Sequence, residues 1–505
     1  MLVTASKLYD YFQCPHRVWR DIYGPQNEKN PEPNPFVQLL WEKGVLREKE
    51  VIKGIGSLLD LSSPNKEGQF RKTIEAMKAG VPLIYHGYIR WENLAGEPDL
   101  LRKNDDGTYL PIDIKSGRGL EGVDEDEGEP GKPKKHYAAQ LALYAEILIA
   151  LGFANKHVGY IFDIDSKEIV YDLDALMGVK SKQTWWQMYQ DAKNETSLLV
   201  ENQRKNDPAL IGVCKLCPWF ASCKKWCVDR EDLSTEFFLG RSKRETIQQD
   251  IGISTVAEME QIDIPSLMEQ KAKDKQFLHG LAALSLGTLK KRAHILHSTK
   301  QPVIYSTISF PQTPYELYFD IEDDPTQGFV YLHGVYERFQ GKERFLPFVA
   351  KDNTPEAEKN AWNEFWQYIR SLPKDGYCLY FYSSHEPTTY KRMQQQYPDV
   401  ASTEEIEQLF DPSHAVDLYY NCILKNTDWP LYSYSLKEIA QYLGFNWRDK
   451  TPSGALSIQW FNEYLEDKDP TKLQRIIDYN EDDCKATMVI KDFLVNQMKG
   501  SENRV

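Results

Sequence analysis

Pro111-Ile-Asp113-Ile-Lys115 reads as a strand that carries chemistry. Asp113 and Lys115 are two apart, so on a strand they share one face while Ile114 points the other way, into a core. Upstream, Gly96-Glu-Pro-Asp99 puts a second acid at the start of the preceding strand pair. Downstream, Gln140-Leu-Ala-Leu-Tyr144 places Gln140 and Tyr144 at i and i+4 of a helix rich in Ala and Leu, where they project together. Two carboxylates hold a divalent metal through oxygen. Such a metal lowers the pKa of a bound water and polarises a phosphodiester, and a lysine on the same face neutralises developing charge. Asp-x-Lys alone is equally the mark of a surface ion pair; the three-part order is much rarer.

Working outward, strands are expected over Val81–Trp91, Asp99–Arg102 and Tyr109–Ile114, after helical stretches at Ala5–Tyr23 and Phe36–Ile55. Glu121–Lys135, acidic and then basic, reads as a solvated loop. The chain of 505 residues is too long for one ordinary domain, and its 41% hydrophobic and 27% charged residues exclude wholesale disorder. We expect an α/β multidomain protein in three segments: 1–230, a helical linker at 231–300, and 301–500 with alternating strands and helices. The net charge of −14 argues mildly against nucleic acid as a partner but leaves room for a local basic groove. No stretch approaches twenty consecutive apolar residues and the first residues lack the apolar core of a signal peptide, so the expectation is a cytoplasmic protein without a membrane span.

The third segment holds a second set of acids. In Leu317-Tyr-Phe-Asp320-Ile-Glu322, Asp320 and Glu322 share one strand face, and far downstream Tyr479 and Asp483 share one helix face. Three or four convergent carboxylates make a two-metal site, in which Tyr479 would orient the attacking water. Between these motifs stand His385-Glu386 and Val416-Asp417-Leu418.

Eight cysteines in a cytosolic chain are better metal ligands or thiols than disulfides. Four lie close together, in Cys214-x2-Cys217-x5-Cys223-x3-Cys227. Either these four hold zinc tetrahedrally, or Cys214, Cys217 and Cys223 join the distant Cys14 around a 4Fe–4S cluster, leaving Cys227 spare. Cys378, Cys422 and Cys484 are expected to be buried thiols. Gly240-Arg-Ser-Lys-Arg244 with Ile251-Gly252-Ile253 resembles a helix–hairpin–helix, whose turn would offer backbone N–H groups to phosphate. Arg241, Lys243 and Arg244 would add charge to it, with Lys290, Lys291 and Arg292 as a second basic cluster.

The Asp99, Asp113-x-Lys115, Gln140-x3-Tyr144 order resembles the restriction-endonuclease-like PD-(D/E)XK nucleases of the RecB type, including CRISPR-associated adaptation nucleases and AddB-like repair nucleases. The resemblance implies that Asp99 and Asp113 bind metal, that Lys115 is the catalytic lysine, and that Gln140 and Tyr144 support it. The Cys14-Pro15 opening together with the Cys-x2-Cys-x5-Cys run resembles the iron–sulfur members of that group, which implies a 4Fe–4S cluster on Cys14, Cys214, Cys217 and Cys223. Members often carry a metal-binding histidine in a Gly-x-x-His-Glu setting; here that stretch is Gly44-Val-Leu-Arg47-Glu48. An arginine cannot bind metal, so Glu48 or a water takes the place, with His86 a lesser substitute read as structural.

Asp320-x-Glu322 with Tyr479-Asn-x-x-Asp483 resembles the DnaQ-like, RNase H-fold exonucleases of the DEDD type in the tyrosine variant. There Glu386 would replace the usual middle aspartate, with Asp417 a second metal-binding choice. The whole arrangement is similar to a RecB-like nuclease family in which a PD-(D/E)XK iron–sulfur domain and a DEDD exonuclease domain lie on one chain. The function implied is Mg²⁺- or Mn²⁺-dependent hydrolysis of DNA, at single-stranded ends or flaps. A nucleic-acid-binding scaffold with one inactive site and an RNA-processing exonuclease are the alternatives.

Overall fold

In a computed structural model the described residues are 1–32, 34–124, 129–178, 181–450 and 453–502. They form two compact units. The first comprises residues 1–208 with 212–223, the second 209–211 with 224–505. The helices between 231 and 300 therefore count with the second unit.

The first unit opens with two helices where the sequence suggests one. Ala5–Gln13 ends at Cys14, which adopts extended backbone, and Pro15 begins Pro15–Tyr23. The break follows from proline, which disfavours helical backbone in the residue before it and suits the first helical position. The main sheet has six strands in the order Glu168–Asp172, Val158–Phe162, Tyr109–Ile114, Leu100–Lys103, Leu83–Tyr85 and Leu59–Asp60. Tyr109–Ile114 and Val158–Phe162 run parallel, joined through the Lys135–Ala150 helix. Alternation along the strands divides the core. Leu101, Tyr109 and Ile161 pack with the Ala/Leu-rich helix, whereas Leu100, Ile112 and Ile114 pack with Val51 of the Pro35–Gly54 helix.

Two expectations need correction here. Val81–Trp91 is not one strand: Leu83–Tyr85 pairs in the main sheet, Ile89–Trp91 in a separate three-stranded sheet, and His86 turns the corner between them with φ 51°. Glu121–Lys135 is not a plain loop: Leu120–Asp124 and Glu129–Pro133 pair as an antiparallel hairpin, with 125–128 outside the described residues.

The second unit is built on a five-stranded sheet in the order Lys342–Val349, Phe329–Phe339, Tyr315–Asp324, Tyr377–Phe381 and Ala415–Asp417. The first three strands are antiparallel and the last three parallel. Leu317, Phe319 and Ile321 pack with Trp362, Phe365 and Trp366 of the Pro355–Ser371 helix. Period-two alternation turns Asp320 and Glu322 to the other face, where the Pro470–Glu502 helix lies. The helices Gly240–Ile251, Val256–Glu260, Ile264–Lys273 and Ala283–His294 share a small core of their own, including Leu233, Ile247, Met259 and Leu286. No helix among the described residues is long and apolar enough to cross a membrane.

Candidate active sites

The C-terminal sheet face brings three acids together. One oxygen each of Asp320, Glu322 and Asp483 lie within 4.8 Å of one another. The strand supplies two of them and the long helix the third. Asn480, on the same helix, is fully buried and donates to Asp320 Oδ2 at 2.7 Å. Trp447 Nε1 donates to Asp483 Oδ1 at 2.7 Å. Tyr479 is buried next to Asp483, whose charge reaches it, and its hydroxyl accepts from Lys437 Nζ at 2.6 Å. Burial, then the charges of Asp483, Glu322 and Glu386, push Asp320 well above the carboxylate range. Glu322 is pushed up to about 8, by burial first and Asp483 next. Carboxylates crowded in this way gain strongly from a divalent cation, and an all-oxygen donor set fits Mg²⁺ or Mn²⁺.

Glu386 begins the His385–Gln396 helix beside this trio without joining it. It is buried, one of its oxygens has no hydrogen-bond partner among the described residues, and burial above all pushes it up to about 8. Asp417 ends its strand and caps the following turn, accepting from the Tyr420 N–H at 3.0 Å. Its charge also bears on Glu386. His385 Nε2 lies 3.1 Å from Asp323 Oδ1. Asp323 is aimed by a bulge after Glu322 that interrupts the alternation.

In the first unit Lys115 stands just past its strand, with Nζ 2.9 Å from Asp113 Oδ2. Burial works against the Lys115 charge, but Asp113 and Asp99 outweigh it and raise its pKa. Asp99 accepts from the Ile114 N–H at 2.6 Å and is pushed up to about 7, by burial first and Asp113 second. Tyr144 is buried where a side chain on Gly96 would overlap its ring, and the charges of Asp113 and Asp99 reach it. Gln140 Oε1 is buried with no hydrogen-bond partner among the described residues.

Glu48, His86 and Asp99 also converge, each offering one ligand atom within 4.8 Å of the others. Arg47 turns elsewhere, donating to the Asp163 carbonyl at 2.9 Å and to Ser166 Oγ at 2.8 Å.

Cys14, Cys214, Cys217 and Cys223 all belong to the first unit, and Cys227 to the second, buried and accepting from Ser234 Oγ at 3.7 Å. Burial pushes the Cys217 thiol up to about 11, and the Cys14 and Cys223 charges add to it. The two ends of the unit are tied beside these thiols: Trp219 Nε1 donates to Asp21 at 2.9 Å, and the Arg20 guanidinium lies 4.5 Å from the Trp219 ring. Four thiols on two clamped segments are a donor set that suits an iron–sulfur cluster. Cys378, Cys422 and Cys484 are buried.

Four of the six basic residues of the two clusters in the middle helices are held by partners within the protein. Arg244 is buried against Asp232 at 2.6 Å, Arg292 pairs with Asp428 at 2.7 Å, and Lys290 donates to the Ile262 carbonyl at 2.7 Å. Arg241 pairs with Glu245 at 3.1 Å.

Sequence reasoning missed Lys437, Asn480, Trp447 and Asp323. Lys437 follows Ser435, the cap of its short helix, and nothing in that context links it to Tyr479, 42 positions on. Asn480 stands between Tyr479 and Asp483, and helical spacing alone gives it no place on their shared face.

Neither the curated proteins nor the solved structures provide a match. Residues 317–495 match the RNase_H_2 model of the RNase H superfamily, so the sheet that carries Asp320 and Glu322 lies in an RNase H-like domain.

Proposed function

We propose that the chain is a divalent-metal-dependent nuclease with two hydrolytic sites, acting on DNA at single-stranded ends or flaps. The observation that carries this reading is the meeting of Asp320, Glu322 and Asp483 beside Tyr479 within the RNase H-like domain. Bound there, Mg²⁺ or Mn²⁺ supplies an acidified water and positive charge for the oxygen that leaves phosphorus.

The side chains do the rest. Tyr479 orients the attacking water, its hydroxyl fixed by Lys437. Asn480 and Trp447 hold Asp320 and Asp483 in place. Glu386 serves as the fourth carboxylate, with Asp417 supporting it. Water adds to phosphorus as the P–O3′ bond breaks, and the departing alkoxide takes up a proton in exchange for the one the water gives up. In the first unit, Asp99 and Asp113 take the metal-binding role and Lys115 neutralises charge on the phosphate. Gln140 and Tyr144 steady that face from the helix. A 4Fe–4S cluster on Cys14, Cys214, Cys217 and Cys223 clamps the ends of that unit.

The test is a product-length time course on single-stranded DNA labelled at the 5′ or the 3′ end, with Mn²⁺ and parallel RNA strands. Lys115→Ala and Asp483→Ala should each remove a different part of the product ladder. Tight binding without cutting by the unsubstituted protein would replace the nuclease reading with that of a scaffold.

A further inference from the structure

We infer that His86 and Glu48 join Asp99 in holding the metal of the first unit, an assignment that rests on the nuclease reading of that unit.

Arg47 and Glu48 are adjacent on the Pro35–Gly54 helix, and successive helical residues diverge by ~100°. Arg47 goes to the Asp163–Ser166 turn and takes no part in the cluster. Glu48 faces the other way, accepting from the Tyr85 hydroxyl at 2.7 Å and lying 2.7 Å from His86 Nε2. His86 stands at the corner between two sheets, and its left-handed backbone is uncommon for a residue with a side chain. Gln69 Nε2 fixes that corner by donating to the His86 carbonyl at 2.6 Å.

Two features separate this set from an ordinary His–Glu ion pair. Asp99 comes within the same 4.8 Å, which the pair by itself does not require. The second imidazole nitrogen, Nδ1, is 3.0 Å from Ser62 Oγ, the kind of outer hydrogen bond that sets the tautomer and orientation of a metal-bound histidine. A cation would take the place of the proton between Nε2 and Glu48, so binding releases a proton. With an imidazole in the donor set, the site favours Mn²⁺ over Mg²⁺.

The experiment uses the full chain carrying Asp320→Asn and Asp483→Asn, which removes the competing trio. Mn²⁺ is added, and pulsed electron paramagnetic resonance reads nitrogen-14 coupling. An imidazole coupling is expected, lost in His86→Gln. Glu48→Gln, on a helix and away from the strained corner, should weaken Mn²⁺ binding at least ~10-fold. Should coupling persist in His86→Gln, or should both variants bind Mn²⁺ normally while Asp99→Asn does not, the inference is overturned and the nuclease reading stands. Mn²⁺ affinity that Asp99→Asn and Asp113→Asn leave unchanged would overturn both.

Discussion

Gly334 stands directly across the sheet from Asp320, and Asn480 fills the space its missing side chain leaves. A Cβ at 334 would overlap the Asn480 amide. The long helix can therefore approach close enough for Asn480 to hold Asp320 and for Asp483 to join the trio only because residue 334 is glycine. We predict that Gly334→Ala costs ~1–3 kcal/mol of stability through overpacking and removes the Asp483-dependent cutting. Thermal unfolding and the labelled-strand assay measure the two effects. Cutting at the normal rate would show that the helix has room to move.

Lys437 should matter as much as the tyrosine it holds. Its ammonium donates to Tyr479 and its charge bears on Asp320, Glu322 and Asp483. Lys437→Met keeps the length of the side chain and removes the donor. We expect the Asp483-dependent rate to fall ~100-fold, the low end of the usual range for a positioned proton-handling group. Tyr479→Phe should do the same, and the double variant should be little worse than either, as groups acting together are not additive. Additive losses would assign Lys437 a separate role.

How much of this was legible in the sequence follows from what kind of signal each feature leaves. Asp320 and Glu322 announce themselves through period-two spacing in an apolar strand, and Tyr479 and Asp483 through helical spacing. Lys437 and Gly334 leave no such signal, because their partners are brought in by tertiary packing from 42 and 146 positions away. His86 reads as a strand histidine because Leu83-Ile-Tyr85 before it and Tyr88-Ile-Arg90 past Gly87 look continuous. The corner depends on a switch between sheets that local composition does not encode. The basic residues of 240–292 are the opposite case: their charge is visible in sequence, but the pairing of Arg244 with Asp232, and of Arg292 with Asp428 136 positions away, is not.

His333 should make the C-terminal unit acid-sensitive. It is wholly buried, with the Tyr390 hydroxyl 2.8 Å from Nδ1, and burial pushes it down to about 3. The unfolded histidine titrates near ~6.5, so below that pH the unfolded chain takes up a proton that the folded chain refuses. The stability involved is complete above pH ~6.5 and is lost as pH falls toward the folded value, at up to ~1.4 kcal/mol per pH unit. His333→Gln removes this titration. In urea unfolding at pH 7, 6 and 5, the unsubstituted protein should lose stability faster than the variant, by ~1 kcal/mol between pH 6 and 5. Parallel losses would mean that His333 titrates alike in both states.

The cysteines give the last prediction, and it separates the two metal readings left open by spacing alone. Cys14 sits at the break between the first two helices, and the Arg20 and Asp21 contacts with Trp219 bring that break to the 214–223 segment. Cys227 is buried with Ser234 in the second unit. A cluster that includes Cys14 closes a loop of ~200 residues, which removes a large share of the unfolded chain's freedom. Purified without oxygen, the protein should therefore carry iron and acid-labile sulfide. Cys14→Ser should lose both and unfold at lower temperature, while Cys227→Ser keeps its iron. Zinc retained in Cys14→Ser and lost in Cys227→Ser would assign the metal to the four neighbouring cysteines, and the clamp between the ends of the unit would then rest on direct contacts such as Trp219 with Asp21 and Asn30 with Pro218.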